Sequence, residues 1–236
     1  YKDGNMLQNL DRDKLIFTQT PQCFDYKTIY KISRINKHLV TDEASLCLNY
    51  KKNVKFIKGE ENNFKITTKS DLKKLNIKSF YGIGFDIHRL IKNKKLYLAG
   101  LKIPFHSGLQ GHSDGDVVLH AIIDGLLGAM RKMDIGTLYP SNKRKNKNIR
   151  SPNMLSPILK KLYEEGYYIN NVDINLICEK PKVSKYRKKI VTSLSNLLNI
   201  NKDQINLKGK TVEKLGLIGK EKAIACEAIV SLNYYA

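Results

Sequence analysis

Asp86 and His88 stand two residues apart in the run Gly84-Phe85-Asp86-Ile87-His88-Arg89-Leu90. In an extended strand, positions i and i+2 project from one face, so a carboxylate and an imidazole converge on a single point. Further along, Asp116, His120 and Asp124 recur at i, i+4 and i+8. The surrounding stretch (Val117, Val118, Leu119, Ile122, Leu126, Leu127 and Met130) is otherwise apolar on nearly every side, as in a buried helix. A polar stripe on a buried helix is costly unless its members are paired or hold a metal. Asp86, His88 and His120 together offer two imidazoles and a carboxylate, a common catalytic zinc set with one coordination position left open. Each histidine's other ring nitrogen then needs an orienting acceptor, for which Asp116 and Asp124 are candidates. A hydrogen-bonded buried histidine without a metal is the competing reading, and the spacing alone does not separate the two.

Three further stretches carry polar groups at element ends. Gly111-His112-Ser113-Asp114-Gly115-Asp116 places hydroxyl, imidazole and backbone N–H donors at a helix start, a natural anion site. An ordinary cap made by Ser113 or Asp114 is the plainer alternative. Asp134-Ile135-Gly136 follows the same helix as a second binding loop or a turn. In Lys208-Gly209-Lys210-Thr211-Val212-Glu213-Lys214-Leu215-Gly216, a hydroxyl and a carboxylate two residues apart suit a phosphate and a magnesium ion, which prefers oxygen ligands. Glu179-Lys180-Pro181-Lys182 lies at a strand end, a usual place for ligand contacts.

These residues must be positioned by an α/β framework. Predicted strands cover Phe80–His88, Lys95–Ala99, Val172–Cys178, Gln204–Lys208 and Ala223–Leu232; predicted helices cover Gly115–Met130, Pro152–Glu165 and Ser184–Leu198. Gly166 is placed to stop the second helix, and Pro157 is expected to disturb its first turns. The alternation predicts a two-layer α/β (α+β) sandwich, with a mixed four- to five-stranded sheet and helices on one face. The run Lys143–Asn148 reads as a mobile, solvated loop. Residues 1–77 differ. There the pattern predicts helices over Asp25–His38, Asp42–Tyr50 and Lys69–Leu75, the last capped by Thr68 with Asp71 in its first turn. Short strands are predicted over Asn53–Ile57 and Phe64–Thr67, and a linker over Asn76–Ser79. The expected domains are therefore 1–77 and 78–236.

Composition limits the classes of function. The 236 residues contain 42% hydrophobic side chains, enough for a core, and no apolar run of about eighteen residues to cross a membrane. No signal peptide is expected within residues 1–30, where charges are mixed throughout. The chain starts at Tyr1 rather than Met, so its native beginning is expected upstream. Cys23, Cys47, Cys178 and Cys226 form no CxxC pair, which fits a reducing cytoplasm rather than a disulfide framework. The formal net charge of +20 comes from lysines spread along the chain. With no nucleic-acid module recognisable, it is read as lysine bias plus a phosphorylated small-molecule substrate.

From Phe80 to the C-terminus the chain resembles 2-C-methyl-D-erythritol 2,4-cyclodiphosphate synthase of the non-mevalonate isoprenoid pathway. The motifs that carry the likeness are GFDIHRL at Gly84–Leu90, GHSDGDVVLHAIIDGLLGA at Gly111–Ala129, DIG at Asp134–Gly136 and TVEKLGLIGKEKAIACEA at Thr211–Ala228. The resemblance implies a homotrimer with active sites between subunits, a zinc ion on Asp86, His88 and His120, and a magnesium or manganese ion on Glu213. It implies that His112 and Thr211 stabilise the transition state and that Ser113 binds substrate. Asp134, Ile135, Gly136, Lys210, Leu217 and Lys220 fall at other substrate positions, and Cys178, Glu179, Lys180, Pro181 and Lys182 at the loop that holds the cytidine. The implied reaction closes a cyclic diphosphate within a cytidine-diphospho-methylerythritol 2-phosphate and expels CMP. The usual acidic run after Tyr139-Pro140 is replaced by Ser141-Asn142-Lys143, a threonine by Lys210, an arginine by Lys220 and a frequent aromatic by Leu217. An inactive trimeric scaffold and a basic nucleic-acid-binding module are the other readings of the same fold.

The first segment resembles the C-terminal third of methylerythritol-phosphate cytidylyltransferase. The likeness rests on Arg12-Asp13-Lys14-Leu15, QTPQCF at Gln19–Phe24, TDEAS at Thr41–Ser45 and NNFKITTKSDL at Asn62–Leu72. It implies that Arg12, Thr20 and Lys65 are remnants of a methylerythritol-phosphate site and that the parent protein is bifunctional. The glycine-rich nucleotide loop of that family is not in this sequence, so the chain as given is not expected to transfer a cytidylyl group.

Overall fold

The computed structural model describes residues 2–3, 6–7, 16–36, 40, 42–60, 63–68, 71, 77–143, 146 and 148–235. The chain divides into two compact units, Tyr1–Lys74 and Leu75–Ala236.

In the first unit β1 (Lys2–Asp3) pairs antiparallel with β2 (Met6–Leu7), followed by α1 (Tyr26–Ile35) and α2 (Glu43–Asn49). Both helices begin where the sequence offers a carboxylate cap. Asp25 accepts from Thr28 N at 2.9 Å and Asp42 from Ser45 N at 2.7 Å. Ile32, Leu46 and Cys47 form its small buried cluster. The strands expected over Asn53–Ile57 and Phe64–Thr67 do not form. A strand needs a ladder partner, and Phe56 and Ile57 are exposed instead. Of the helix expected over Lys69–Leu75 only Asp71 lies among the described residues; its carboxylate accepts from Thr67 N and Thr68 N.

The second unit starts with β3 (Ile77–Lys92), then β4 (Leu96–Leu98), β5 (Leu101–Ile103) and β6 (Ser107–Leu109). The buried α3 (Val117–Ala129), the short α4 (Ile135–Leu138) and α5 (Ser151–Glu164) follow. After them come β7 (Tyr167–Ile177), α6 (Arg187–Leu198), β8 (Ile205–Lys210), the short α7 (Gly216–Gly219) and β9 (Ala223–Tyr235). A five-stranded sheet runs β6-β3-β9-β7-β8, antiparallel except for the β7–β8 pair. The expected linker is corrected here: Ile77, Lys78 and Ser79 already pair with Tyr235, Tyr234 and Asn233. α5 continues through Pro157, which forfeits one helix hydrogen bond without ending the helix.

The helices cover one face of the sheet. Ile224, Cys226, Ala228, Val230 and Leu232 of β9 and Val172, Ile174 and Leu176 of β7 are buried beneath them. The opposite face is open, with Tyr81, Ile83, Phe85 and Ile87 alternating along β3 at 70%, 64%, 57% and 44% exposure. α3 lies unusually close to the sheet because two glycines let it. A Cβ on Gly84 would stand 1.9 Å from the carbonyl oxygen of Ala121, and one on Gly82 2.0 Å from that of Gly125.

Candidate metal centre and its surroundings

That close approach brings His120 of α3 onto the strand residues Asp86 and His88. Even-numbered positions of β3 face the helix, so Asp86 and His88 point the same way. Asp86 Oδ2 lies 2.8 Å from His120 Nδ1 and 3.0 Å from His88 Nε2, and the two nitrogens are 3.4 Å apart. One ligand atom from each residue falls within 4.8 Å of the others, so the group can hold a metal ion. Ligand atoms ~2.0–2.1 Å from a tetrahedral zinc stand roughly 3.4 Å apart; the two nitrogens match this, and the two contacts to Asp86 are drawn closer as hydrogen bonds. Two imidazoles with one carboxylate match that donor chemistry, and His120 is buried while Asp86 and His88 are half-buried. Burial pushes the Asp86 carboxyl upward, but hydrogen bonds and charge from His120 and His88 outweigh it and hold the group well below the usual carboxylate range. For His120, burial lowers the pKa, and the bond and charge of Asp86 reverse that and raise it.

Neither aspartate expected to orient a histidine does so. Asp116 is fully buried and caps α3, accepting from Val118 N and Leu119 N at 3.2 Å, and it also pins the turn at Ala99 N (2.9 Å) and Gly100 N (2.6 Å). The helix cap is therefore Asp116, not Ser113 or Asp114, and it satisfies N–H groups that an anion would otherwise take. Asp124 accepts from Ile135 N at 2.7 Å, tying α4 to α3. The spacing that suggested one polar stripe is real, but tertiary contacts send its three members to three different tasks. His120 Nε2 instead faces Ser113 Oγ at 3.2 Å and Ser151 Oγ at 3.1 Å.

A cavity of about 240 Å³ opens in front of the cluster. His112, Ser113, Ile135 and Gly136 line it beside the three ligand candidates, so seven sequence-predicted site residues meet there. Asp134 does not; its carboxylate caps α4, accepting from Thr137 N (2.9 Å) and Thr137 Oγ1 (3.0 Å). Sequence reasoning missed Asn146, Tyr139 and Met154, which also line this cavity. Asn146 corrects the solvated reading of Lys143–Asn148. It is buried, its Nδ2 donates to Pro140 O at 2.9 Å, and Asn148 N donates to His112 O at 2.7 Å. Nothing in a lysine- and asparagine-rich run signals such a tie.

Thr211 and Glu213 sit elsewhere, at the C-terminal end of β8, and neither lines the metal cavity. The loop after β7 lies beside them because β7 and β8 are parallel and end together. Glu179 Oε1 accepts from Val212 N (3.1 Å) and Lys214 N (3.3 Å), holding Glu213 and Lys214 in left-handed backbone at φ 51° and 63°. Lys180 reaches Glu221 at 3.0 Å. The Cys178 thiol, which burial pushes up to about 11, points at Pro181 O (3.6 Å), while Lys182 and Lys210 are exposed. Leu217 on α7 and His88 share a second cavity of about 580 Å³, with Lys220 exposed at the end of that helix. In the first unit, Thr20 O accepts from Asn63 Nδ2 at 2.8 Å and Lys65 is exposed; Arg12 lies outside the described residues.

A mixed sheet covered on one side by helices, with two histidines and a carboxylate gathered between its long strand and its most buried helix, defines a two-layer α/β protein whose side chains can hold a metal ion. Residues 80–233 match the YgbB family, and residues 2–77 match 2-C-methyl-D-erythritol 4-phosphate cytidylyltransferase. The chain belongs to the YgbB family, joined to a segment of the second. The bifunctional enzyme IspD/IspF of Pelagibacter ubique (strain HTCC1062) is 52% identical over 231 residues, covering 98% of this chain and 62% of that protein. That of Wolbachia pipientis wMel is 39% identical over 238 residues, covering 96% and 60%. The chain thus spans about three fifths of the length of these curated relatives. Among solved structures, IspF of Plasmodium falciparum as a CDP complex is similar at 42% identity and a TM-score of 0.59, covering 67% of this chain and 97% of that one. The bifunctional IspDF from Campylobacter jejuni is similar at 36% identity and a TM-score of 0.65, covering 96% and 62%.

Proposed function

We propose that the second unit is a metal-dependent cyclodiphosphate synthase. It acts on 4-diphosphocytidyl-2-C-methyl-D-erythritol 2-phosphate and releases CMP. The observation that carries this reading is the convergence of Asp86, His88 and His120 on one point beside His112 and Ser113, in a chain of this family. An oxygen of the 2-phosphate forms a bond to the β-phosphorus, the bond from that phosphorus to the bridging oxygen breaks, and CMP leaves with the electron pair. No side-chain nucleophile is required. Two phosphates must instead be held together against their charges, with donors where negative charge develops.

Asp86, His88 and His120 would hold a zinc ion, and Glu213 a magnesium or manganese ion. When bound, such cations polarise phosphate oxygens and neutralise the diphosphate. His112 and Ser113 present an imidazole and a hydroxyl to the phosphates, with Ile135 and Gly136 walling the cavity. Thr211 donates its hydroxyl to the diphosphate, and Cys178–Lys182 seat the cytidine, in keeping with the CDP complex of a relative. Lys210, Leu217 and Lys220 border this second half, and Asp134 contributes by fixing the loop that carries Ile135 and Gly136.

Thr211 and Glu213 do not line the cavity of the metal cluster, and the complete site forms between copies of the chain in a homotrimer. The open face of the sheet supports this reading: Tyr81, Ile83, Phe85 and Ile87, joined by Ile229, make an apolar patch of the kind that marks an interface. Residues 1–77 are the C-terminal part of a cytidylyltransferase domain and 78–236 the synthase domain, so the parent protein is bifunctional. The chain works in the cytoplasm. Its cysteines are free, and among the described residues no helix is long and apolar enough to cross a membrane. Incubation with the cytidine-diphospho substrate is expected to yield CMP and the cyclic diphosphate, and EDTA to abolish both. Turnover that survives complete metal removal would reject the reading.

A further inference from the structure

Behind His120 lies a chain of polar groups that the reaction itself does not use. Ser151, the first residue of α5, is fully buried, and its hydroxyl lies between His120 Nε2 (3.1 Å) and Asp114 Oδ1, to which it is hydrogen-bonded. Asp114 is itself buried, its side chain 3% exposed, and its Oδ2 accepts from Arg150 Nε at 2.8 Å and Ser151 N at 3.2 Å. Arg150 is held in turn, its NH2 group donating to Gly100 O at 3.2 Å and its guanidinium stacked 3.9 Å over the Tyr97 ring.

Counting donors gives this chain a direction. A carboxylate bound to a guanidinium and a peptide N–H accepts and does not donate. The Ser151 hydroxyl proton therefore goes to Asp114, and Ser151 Oγ is left only lone pairs for His120. The neighbouring nitrogen must then carry the hydrogen, as Nε2–H. Nδ1 is the atom that faces Asp86 and His88: without metal its hydrogen goes to the Asp86 carboxylate at 2.8 Å, and a metal takes that hydrogen's place while Nε2 keeps its own. Ser113 Oγ takes the Gly115 N–H at 3.1 Å and suits either ring form, so it does not decide the matter.

We propose that Ser151 and Asp114, backed by Arg150, are positioning residues that lock His120 in the tautomer presenting Nδ1 to the metal. The proposal rests on the metal-centre reading and extends it to three residues outside the ligand set. A metal-binding histidine needs its other nitrogen fixed, and loss of such a partner typically weakens metal binding about 10- to 100-fold.

Asp114→Asn is an isosteric reversal of this chain. The Arg150 and Ser151 backbone donors keep the amide oxygen at the Oδ2 position, so the NH2 group turns toward Ser151 and forgoes only the long bond from Asp116 N (3.4 Å). Ser151 then accepts from the amide and donates to Nε2, which drives the histidine proton onto Nδ1. The test pairs zinc competition against a chromogenic chelator with 15N NMR of histidine-labelled full-length protein, the His120 signals assigned from His120→Gln. Metal-free wild type is expected to show a hydrogen on His120 Nε2 and D114N to show Nε2 bare with the hydrogen on Nδ1, with zinc bound about 10- to 100-fold more weakly by D114N. Ser151→Ala is expected to give a mixture of the two forms and an intermediate loss. A wild-type His120 Nε2 without a hydrogen, or zinc binding unchanged in both folded variants, would overturn the proposal. Failure of the wild type to take up zinc would sink the metal centre instead, since the tautomer is read without metal.

Discussion

The two halves of the proposed site are built differently. The Asp86–His88–His120 cluster lies under a buried helix, and every ligand candidate is already engaged by side chains of its own unit. The Thr211–Glu213 segment is exposed, with Glu213 on left-handed backbone steadied by Glu179 from the neighbouring loop. The difference teaches that one chain prepares its proposed metal cluster internally but leaves the segment proposed to meet the diphosphate facing outward. A buried cluster gains from low dielectric and fixed partners, whereas an exposed carboxylate needs a ligand or a second copy to limit its motion.

The sharpest way to break this contrast is His120→Ala. It is expected to remove zinc, read by metal analysis, and to cut turnover more than ~1,000-fold. Persistent turnover in zinc-free protein would show that the buried half is only structural. Next comes Glu213→Gln, expected to cost ~100-fold in turnover while zinc content stays at the wild-type level. Zinc lost together with activity would mean that the halves are not separate. Glu179→Ala removes the acceptor of two backbone N–H groups, and about tenfold more manganese is then expected at half-maximal turnover. Unchanged manganese dependence with weakened CMP binding would assign Glu179 to the nucleotide instead. The smallest departure from wild type comes from coexpressing H120A with E213Q. If each site draws one half from each of two subunits, random assortment restores roughly a quarter of the sites. Inactivity of the mixed assemblies would place both halves in one chain.

The alternation of strands and helices was legible because apolar periodicity survives burial, and so were the shared facing of Asp86 and His88 and the burial of His120, because strand and helix periods place like-facing residues at known intervals. Less legible were β5 and β6, each three residues long, too short for a period to show. The extension of β3 back to Ile77 depended on a partner more than a hundred residues away. In the first unit, apolar runs such as Asn53–Ile57 looked like strands but lack a ladder among the described residues.

From the amino-acid order alone came the ligand types, the facing of Asp86 and His88 and the buried character of α3, since these follow from local geometry and composition. Tertiary structure decided the assignment of partners. Gly82 and Gly84 let α3 close onto β3, Asp116 and Asp124 were drawn off to cap and tether backbone, and Ser151, from a helix thirty residues further on, took the place behind His120. Hydrogen-bond partners are chosen by what lies within about 3 Å after folding, and no spacing along a chain contains that distance.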